Sequence, residues 1–229
     1  MKEFINTAAH ELKNPITPIL VATQILAKRE FNKKIVCSKE EFDLIAQNAI
    51  RLKRLSDDIL DVARIENNGI KLESGILNLS DLLKDAIADS RPLASPGVEL
   101  SYKGSDLVVD ADRGKIQQAV LNILHNALKF TKEGNIQVSL TLNSSKSEVV
   151  VAIRDNGSGI DREILPRLFG KYVTKSEKGT GLGLFISRNI IEAHGGEIWA
   201  QNNSDGMGAT FLFSLPLKAT LLQDIKHIP

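Results

Sequence analysis

The hydrophobic rhythm of the chain changes once, between Gly69 and Gly75, and that change divides it in two. Before it, Phe4, Ala8, Leu12, Ile16, Ile19, Thr23 and Leu26 recur at spacings of three and four, the repeat of one helix face. Phe42, Ile45, Ala49, Leu52, Leu55, Ile59 and Val62 make a second stripe of the same kind. Pro15 and Pro18 fall inside the first helix and should bend it. The polar run Glu30-Phe31-Asn32-Lys33-Lys34 reads as the connection. Ser38 followed by Glu41 predicts a capping box at the start of the second helix, and Asn67-Asn68-Gly69 predicts its end. Two helices bury two stripes poorly. With one hairpin in the chain, the simplest completion is a four-helix bundle formed by a homodimer, the alternative being a hairpin packed on the rest of its own chain.

Beyond Gly75 the pattern is mixed. A helix is expected from Ser80-Asp81 to about Leu93, short strands near Val98–Tyr102 and Leu107–Val109, and a helix from Lys115 to about Phe130. Gln137–Leu142 and Glu148–Ile153 alternate as a hairpin across Asn143–Ser147. A helix over Leu182–His194, closed by Gly195-Gly196, and a strand pair at Glu197–Gln201 and Ala209–Leu215 complete the chain. Strands and helices come in blocks, which predicts an α+β sandwich rather than a doubly wound parallel sheet. The domains are thus residues 1–70 and 71–229.

Composition excludes more than it identifies. A net charge of +1 offers no electrostatic case for nucleic acid, and the single Cys37 cannot make an internal disulfide. No apolar run reaches the roughly 18 residues of a membrane span, and Met1 leads straight into an amphipathic helix, so a cytoplasmic location is the default expectation. A membrane-anchored N-terminal region outside this chain is compatible with that expectation.

Four groups of residues carry chemistry. His10 projects roughly opposite Leu12 and Ile19, away from the apolar stripe, with Glu11 on its flank and Asn14 one turn on. Most surface histidines are idle, but a neutral imidazole beside a carboxylate is suited to act as a nucleophile. Asn122 and Asn126 lie four apart on one helix face with Lys129 three further on, and their amide oxygens suit Mg²⁺ alongside phosphates. Asp155 ends a strand and is followed by Gly157 and Gly159, which allow close backbone approach to a ligand. The run Gly179-Thr180-Gly181-Leu182-Gly183-Leu184 opens a helix. It has neither the spacing of a dinucleotide fingerprint nor the ending of a P-loop, which leaves a glycine turn whose N–H groups favour phosphate.

Taken together these strings resemble the catalytic core of sensor histidine kinases. Phe4 to Pro15, with His10-Glu11-Leu12-Lys13-Asn14-Pro15, is similar to the H-box. Asn122 to Thr131 is similar to the N-box, Asp155-Asn156-Gly157-Ser158-Gly159 to the G1 box and Gly179–Leu184 to the G2 box, in family order. The resemblance implies residues 1–70 as the dimerisation and phosphoacceptor domain and 71–229 as the ATP-binding domain. It implies His10 as phosphoacceptor, Glu11 as its acid–base partner and Asn14 as positioning water for dephosphorylation. Asn126, with Asn122, would hold Mg²⁺, Lys129 would contact phosphate, and Asp155 would read the adenine amino group. Phe130, Gly157, Gly159, Ile160, Lys175, Gly179, Thr180, Gly181, Leu182, Gly183 and Leu184 complete the expected nucleotide site. Thr210 falls where related ATPases place an adenine-contacting hydroxyl.

The implied function is ATP-dependent autophosphorylation of a homodimer, then phosphotransfer to the aspartate of a response-regulator receiver domain and phosphatase action on it. Nucleotide-gated chaperones, mismatch-repair clamps and anti-sigma serine kinases share the nucleotide boxes but lack a phosphoacceptor hairpin. A pseudokinase is disfavoured by intact Asn126 and Asp155. Three positions depart from the family pattern: Gly170 replaces an acid in the F-box, Thr174 stands where a phosphate-directed Arg is frequent, and Lys115 replaces an Arg before the N-box. With Thr174 there, Lys175 or Lys171 is expected to face the γ-phosphate from the lid, roughly Ile160 to Lys178.

Overall fold

The computed structural model describes residues 2–28, 30–31, 34–35, 37–145, 147–174 and 180–217, with side chains from Leu12 to Leu26 and from Cys37 onward, Asn68 excepted. The chain forms two compact units, Met1–Asn67 and Asn68–Pro229.

The first unit is a helical hairpin. Helix α1 spans Lys2–Lys28 and runs unbroken through both prolines. Neither proline has an N–H to give to the preceding turn. Two short antiparallel strands, β1 (Glu30–Phe31) and β2 (Lys34–Ile35), make the turn that the sequence showed only as polar linker. Helix α2 spans Lys39–Asn68, and its start is the expected capping box: Glu41 N–H donates to Ser38 Oγ at 3.2 Å while Ser38 N–H donates to Glu41 Oε2 at 3.0 Å. Within the hairpin Pro15, Ala22 and Leu26 are buried on α1, as are Leu55 and Val62 on α2. A further set of apolar residues stays exposed, Ile16, Leu20, Val21 and Ile25 on α1 with Phe42, Leu44, Ile50 and Leu60 on α2.

The second unit is a mixed five-stranded sheet with helices on one face. Strand β3 (Gly75–Asn78), which the sequence reading missed, pairs antiparallel with β5 (Val108–Ala111) as a separate ribbon. Helix α3 (Leu79–Ser90) follows β3 at once, its N-cap Asn78 accepting from Asp81 N–H. The main sheet runs β4–β6–β7–β9–β8, from β4 (Gly97–Gly104), β6 (Glu133–Asn143), β7 (Glu148–Arg154), β9 (Ala209–Pro216) and β8 (Ile198–Asn202). Only β4 and β6 are parallel, and that pairing requires the long crossover through helix α4 (Arg113–Phe130). Helix α5 covers Gly183–Ala193.

Strand parity decides what each strand residue can reach. Val149, Val151 and Ile153 on β7 and Phe211, Phe213 and Leu215 on β9 are buried, and they form the face covered by α3, α4 and α5. The alternating residues Val150, Ala152, Arg154 and Leu212 are half-buried or exposed on the other face. Ile116, Ala119, Val120, Ile123 and Leu124 of α4 and Ile186, Ile190 and Ile191 of α5 complete the core. The architecture is α+β as expected, and the sheet is predominantly antiparallel.

Candidate active site

The C-terminal half of α4 is where the sequence groups meet. Asn122 is buried, and its Nδ2 donates to the Gly183 carbonyl at 3.2 Å and to Ser187 Oγ at 3.5 Å. A carbonyl only accepts, so the amide nitrogen of Asn122 must face α5. That bond locks the N-box helix to the first turn of the G2 helix. Asn126 lies one turn on and is half-buried, and Lys129 is exposed, its ammonium 5.3 Å from the Phe130 ring centroid. Phe130 is itself exposed.

The Asp155 loop is seated against the end of the same helix. Ser158 N–H donates to the Phe130 carbonyl at 3.3 Å, and a Cβ on Gly157 would fall 2.4 Å from that same oxygen. Only glycine fits there. Asn156 Oδ1 accepts from Asn135 N–H at 3.1 Å, tying the loop to β6. Asp155 is 4% exposed, and its Oδ1 accepts from Gly157 N–H at 2.9 Å and Ala209 N–H at 3.2 Å. Burial pushes its carboxyl above the usual carboxylate range, against those two donors and the Arg154 guanidinium, which pull it down. A buried carboxylate with one oxygen held by backbone, and its second accepting none of the described hydrogen bonds, is built to receive a donor from a ligand.

The G2 turn reaches α5 without a capping side chain. The N-cap residue is Leu182, buried, so the first N–H groups of the helix have no side-chain acceptor from that position. Thr180 Oγ1 accepts from Leu182 N–H at 3.2 Å, Gly181 gives its carbonyl to Tyr172 N–H at 3.0 Å, and Leu184 is half-buried at the helix start. An uncapped helix N-terminus behind a glycine turn is a ready phosphate site. Ile160 follows Gly159 and is half-buried; its N–H and carbonyl are both bonded by Asn202, a residue the sequence reading did not single out.

Several expected residues stand elsewhere. Thr210 does not join this face. It pairs in register with exposed Arg154, on the side of β9 opposite Phe211 and Phe213, and its hydroxyl donates to Asn203 Oδ1 at 2.6 Å. The β9 residue beside Asp155 on the helix-covered face is Ala209, which has no hydroxyl. Asn203 is the buried hub behind the site, its Nδ2 bonding the carbonyls of Asp155 and Met207, each at 2.7 Å. The Lys171 ammonium stands 5.0 Å over the Phe185 ring on α5. Lys175 and Gly179 lie outside the described residues. So do the side chains of His10 and Glu11, whose backbone belongs to α1; Asn14 is exposed on that helix. Among the described residues no group of three or more His, Cys, Asp or Glu side chains could hold a metal ion, and no helix is long and apolar enough to cross a membrane.

Two family models match the two halves. Residues 1–68 match the His Kinase A (phospho-acceptor) domain, and residues 111–219 match the histidine kinase-, DNA gyrase B- and HSP90-like ATPase. The sensor histidine kinase WalK of Bacillus subtilis is 29% identical over 95% of this chain and 37% of its own length. The sensor protein ChvG of Rhizobium meliloti is 33% identical over 94% of this chain and 40% of its own. The chain thus spans about two fifths of these relatives. Among solved structures, the catalytic domain of histidine kinase ThkA is 31% identical with a TM-score of 0.55, covering 63% of this chain and 95% of that one. ThkA in complex with the response regulator protein TrrA is 27% identical with a TM-score of 0.70, covering 94% of this chain and 61% of that one. With a phosphoacceptor hairpin followed by an ATP-binding α+β unit, the chain belongs to the sensor histidine kinases and comprises their catalytic core.

Proposed function

We propose that this chain transfers the γ-phosphate of ATP to His10 and then passes it to the aspartate of a response-regulator receiver domain. The observation that carries the reading is that the Asp155 loop and the uncapped start of α5 are both bonded to the C-terminal half of α4, in a chain that also holds a phosphoacceptor helix. Asp155 would accept the adenine amino group. The α5 N-terminus, Thr180 and Lys129 would meet the phosphates. Mg²⁺ would be held mainly by phosphate oxygens with the amide oxygens of Asn126 and Asn122, the latter oriented by the bond from its Nδ2 to the Gly183 carbonyl. Bound there, Mg²⁺ would neutralise charge building on the transferred group.

In the proposed step an imidazole nitrogen of His10 attacks the γ-phosphorus, the bond to the ADP oxygen breaks, and the imidazole proton passes to Glu11. The exposed Ile16, Leu20, Ile50 and Leu60 support pairing of two hairpins as a four-helix bundle, because apolar rows of this kind find cover in a partner. The ThkA–TrrA complex supports a receiver-domain partner, and Asn14, exposed near His10 in sequence, would position water in the reverse, phosphatase direction. Domain boundaries near residue 70 and the lid assignment of Lys175 belong to the same reading.

Incubation with γ-labelled ATP tests it. Label should be lost in acid, survive base, and vanish in His10→Gln, which still binds ATP. Label persisting in His10→Gln overturns the reading.

A further inference from the structure

We propose that Asn202 is a positioning residue of the nucleotide site, fixing Ile160 where the base-binding loop passes into the lid; this rests on the nucleotide reading above. Asn202 is the last residue of β8, an edge strand of the sheet. Its side-chain Oδ1 accepts from Ile160 N–H at 2.7 Å, and its Nδ2 donates to the Ile160 carbonyl at 2.8 Å. The amide thereby gives Ile160 the paired donor and acceptor that a neighbouring strand would give. The two residues are 42 apart in sequence, so the contact joins β8 to the loop that leaves Asp155.

Gly159 makes the approach possible. Its φ is +73°, and a Cβ there would fall 3.0 Å from Asn202 Oδ1. Immediately beyond Ile160 the described backbone bonds turn local, with the Asp161 carbonyl accepting from Ile164 and Leu165 N–H. Asn202 therefore ties the chain to the sheet at the point where the lid begins. Only an amide fits this role. A carboxylate brings two acceptors against the Ile160 carbonyl, and a hydroxyl makes one bond where two are needed.

Holding Ile160 in place serves bound nucleotide before and during transfer alike, so its loss should raise KM and spare kcat. The full chain carrying His10→Gln is titrated calorimetrically with ATP and Mg²⁺, alone and with Asn202→Ala, Ile160→Ala or both. Each single change should weaken ATP about tenfold, and the pair little more than either, because Asn202 acts through Ile160. With His10 intact, Asn202→Ala should raise KM for ATP about tenfold and leave kcat within about twofold. Affinity unchanged in folded Asn202→Ala, or losses that multiply in the double variant, overturns the proposal. Should Asn202→Ala not fold, hydrogen exchange of the Ile160 amide in the unmutated chain decides: it should slow further when ATP is added, and indifference to ATP overturns the proposal. An unmutated chain that binds no ATP at all overturns the nucleotide reading itself, and this inference with it.

Discussion

Replacing Asp155 with Asn should weaken ATP binding and stabilise the nucleotide-free protein at the same time. The carboxylate is buried, and burial holds its pKa above the usual range even with two N–H donors on Oδ1. For an acid whose folded-state pKa is raised, ionisation opposes folding, and the full cost is present above the folded pKa. Asn keeps an oxygen to accept from Gly157 and Ala209 and removes the charge, so the thermal midpoint at neutral pH should rise. On the ligand side, an amino group loses a bond to an ionised acceptor, worth about 1.5–3 kcal/mol. At roughly 1.4 kcal/mol per factor of ten, ATP should bind about 10- to 10²-fold more weakly. An Asn nitrogen facing the adenine amino group pushes the loss toward the upper end. Titration calorimetry in the His10→Gln background measures the affinity, and a melting curve without nucleotide measures the stability. ATP affinity within threefold of the unmutated value would refute the assignment of Asp155 to the base, and a lowered melting midpoint would refute the cost of its buried charge.

Glu11→Gln should slow autophosphorylation by about 10²-fold, the scale of a positioned acid–base group, while Asn14→Ala spares it and slows receiver dephosphorylation. Equal damage to both activities by both variants would show that the two roles are not divided. Leu20→Glu should convert the dimer to folded monomers by light scattering at micromolar concentration, because Leu20 is exposed in the single chain and a charge in the dimer seam is costly. A Leu20→Glu chain that remains dimeric would place the seam elsewhere. For Asp112, burial raises the pKa but the N–H groups of Glu73, Lys115 and Gly114, with His194 beside it, outweigh burial and hold it below the usual range. A depressed acid stabilises the fold above its unfolded pKa, near about 3.9, and that contribution fades as pH falls through the lower folded value. Asp112→Asn keeps the capping oxygen but loses the charge, so it should lower stability by urea unfolding more at pH 7 than at pH 3, and an equal loss at both pH values would refute this.

The elements that the sequence made legible are those whose signals are local. Periodicity located α1, α2, α4 and α5, and Ser38 with Glu41 marked the start of α2 to the residue. The nucleotide boxes were legible for the same reason, since each is a short run whose glycines and polar residues sit together. Strand β3 was not, because four residues with one buried side chain carry no alternation to detect. Its pairing with β5 is decided by tertiary contact, whereas β1 and β2 are local but only two residues each, too short to alternate. Leu55 lies on the stripe for which a homodimer is the simplest cover, yet it is buried within the single hairpin, and the residues left uncovered include Leu20 and Ile50. One helix carries both faces, and a stripe drawn from spacing alone cannot say which is covered by its own partner helix.

The side chains that hold the site from behind were the least legible, and the reason is chemical. An Asn can donate and accept at once, so its role is set by what lies across from it, often dozens of residues away. Asn122 was legible as a candidate cation ligand because Asn126 follows it by one turn; that its nitrogen also braces Gly183, 61 residues on, was not. Asn202 and Asn203 carry no signal of their own in the sequence, yet one clamps Ile160 and the other bonds the carbonyl of Asp155. Thr210 is different, since a local signal was available. Phe211, Phe213 and Leu215 alternate along β9, and parity alone puts Thr210 on the opposite face from them. The same parity leaves Ala209 beside Asp155. On the proposed reading, polar recognition of the base from the β7–β9 edge falls among the described residues to Asp155, which is why its replacement should cost this chain so much of its affinity for ATP.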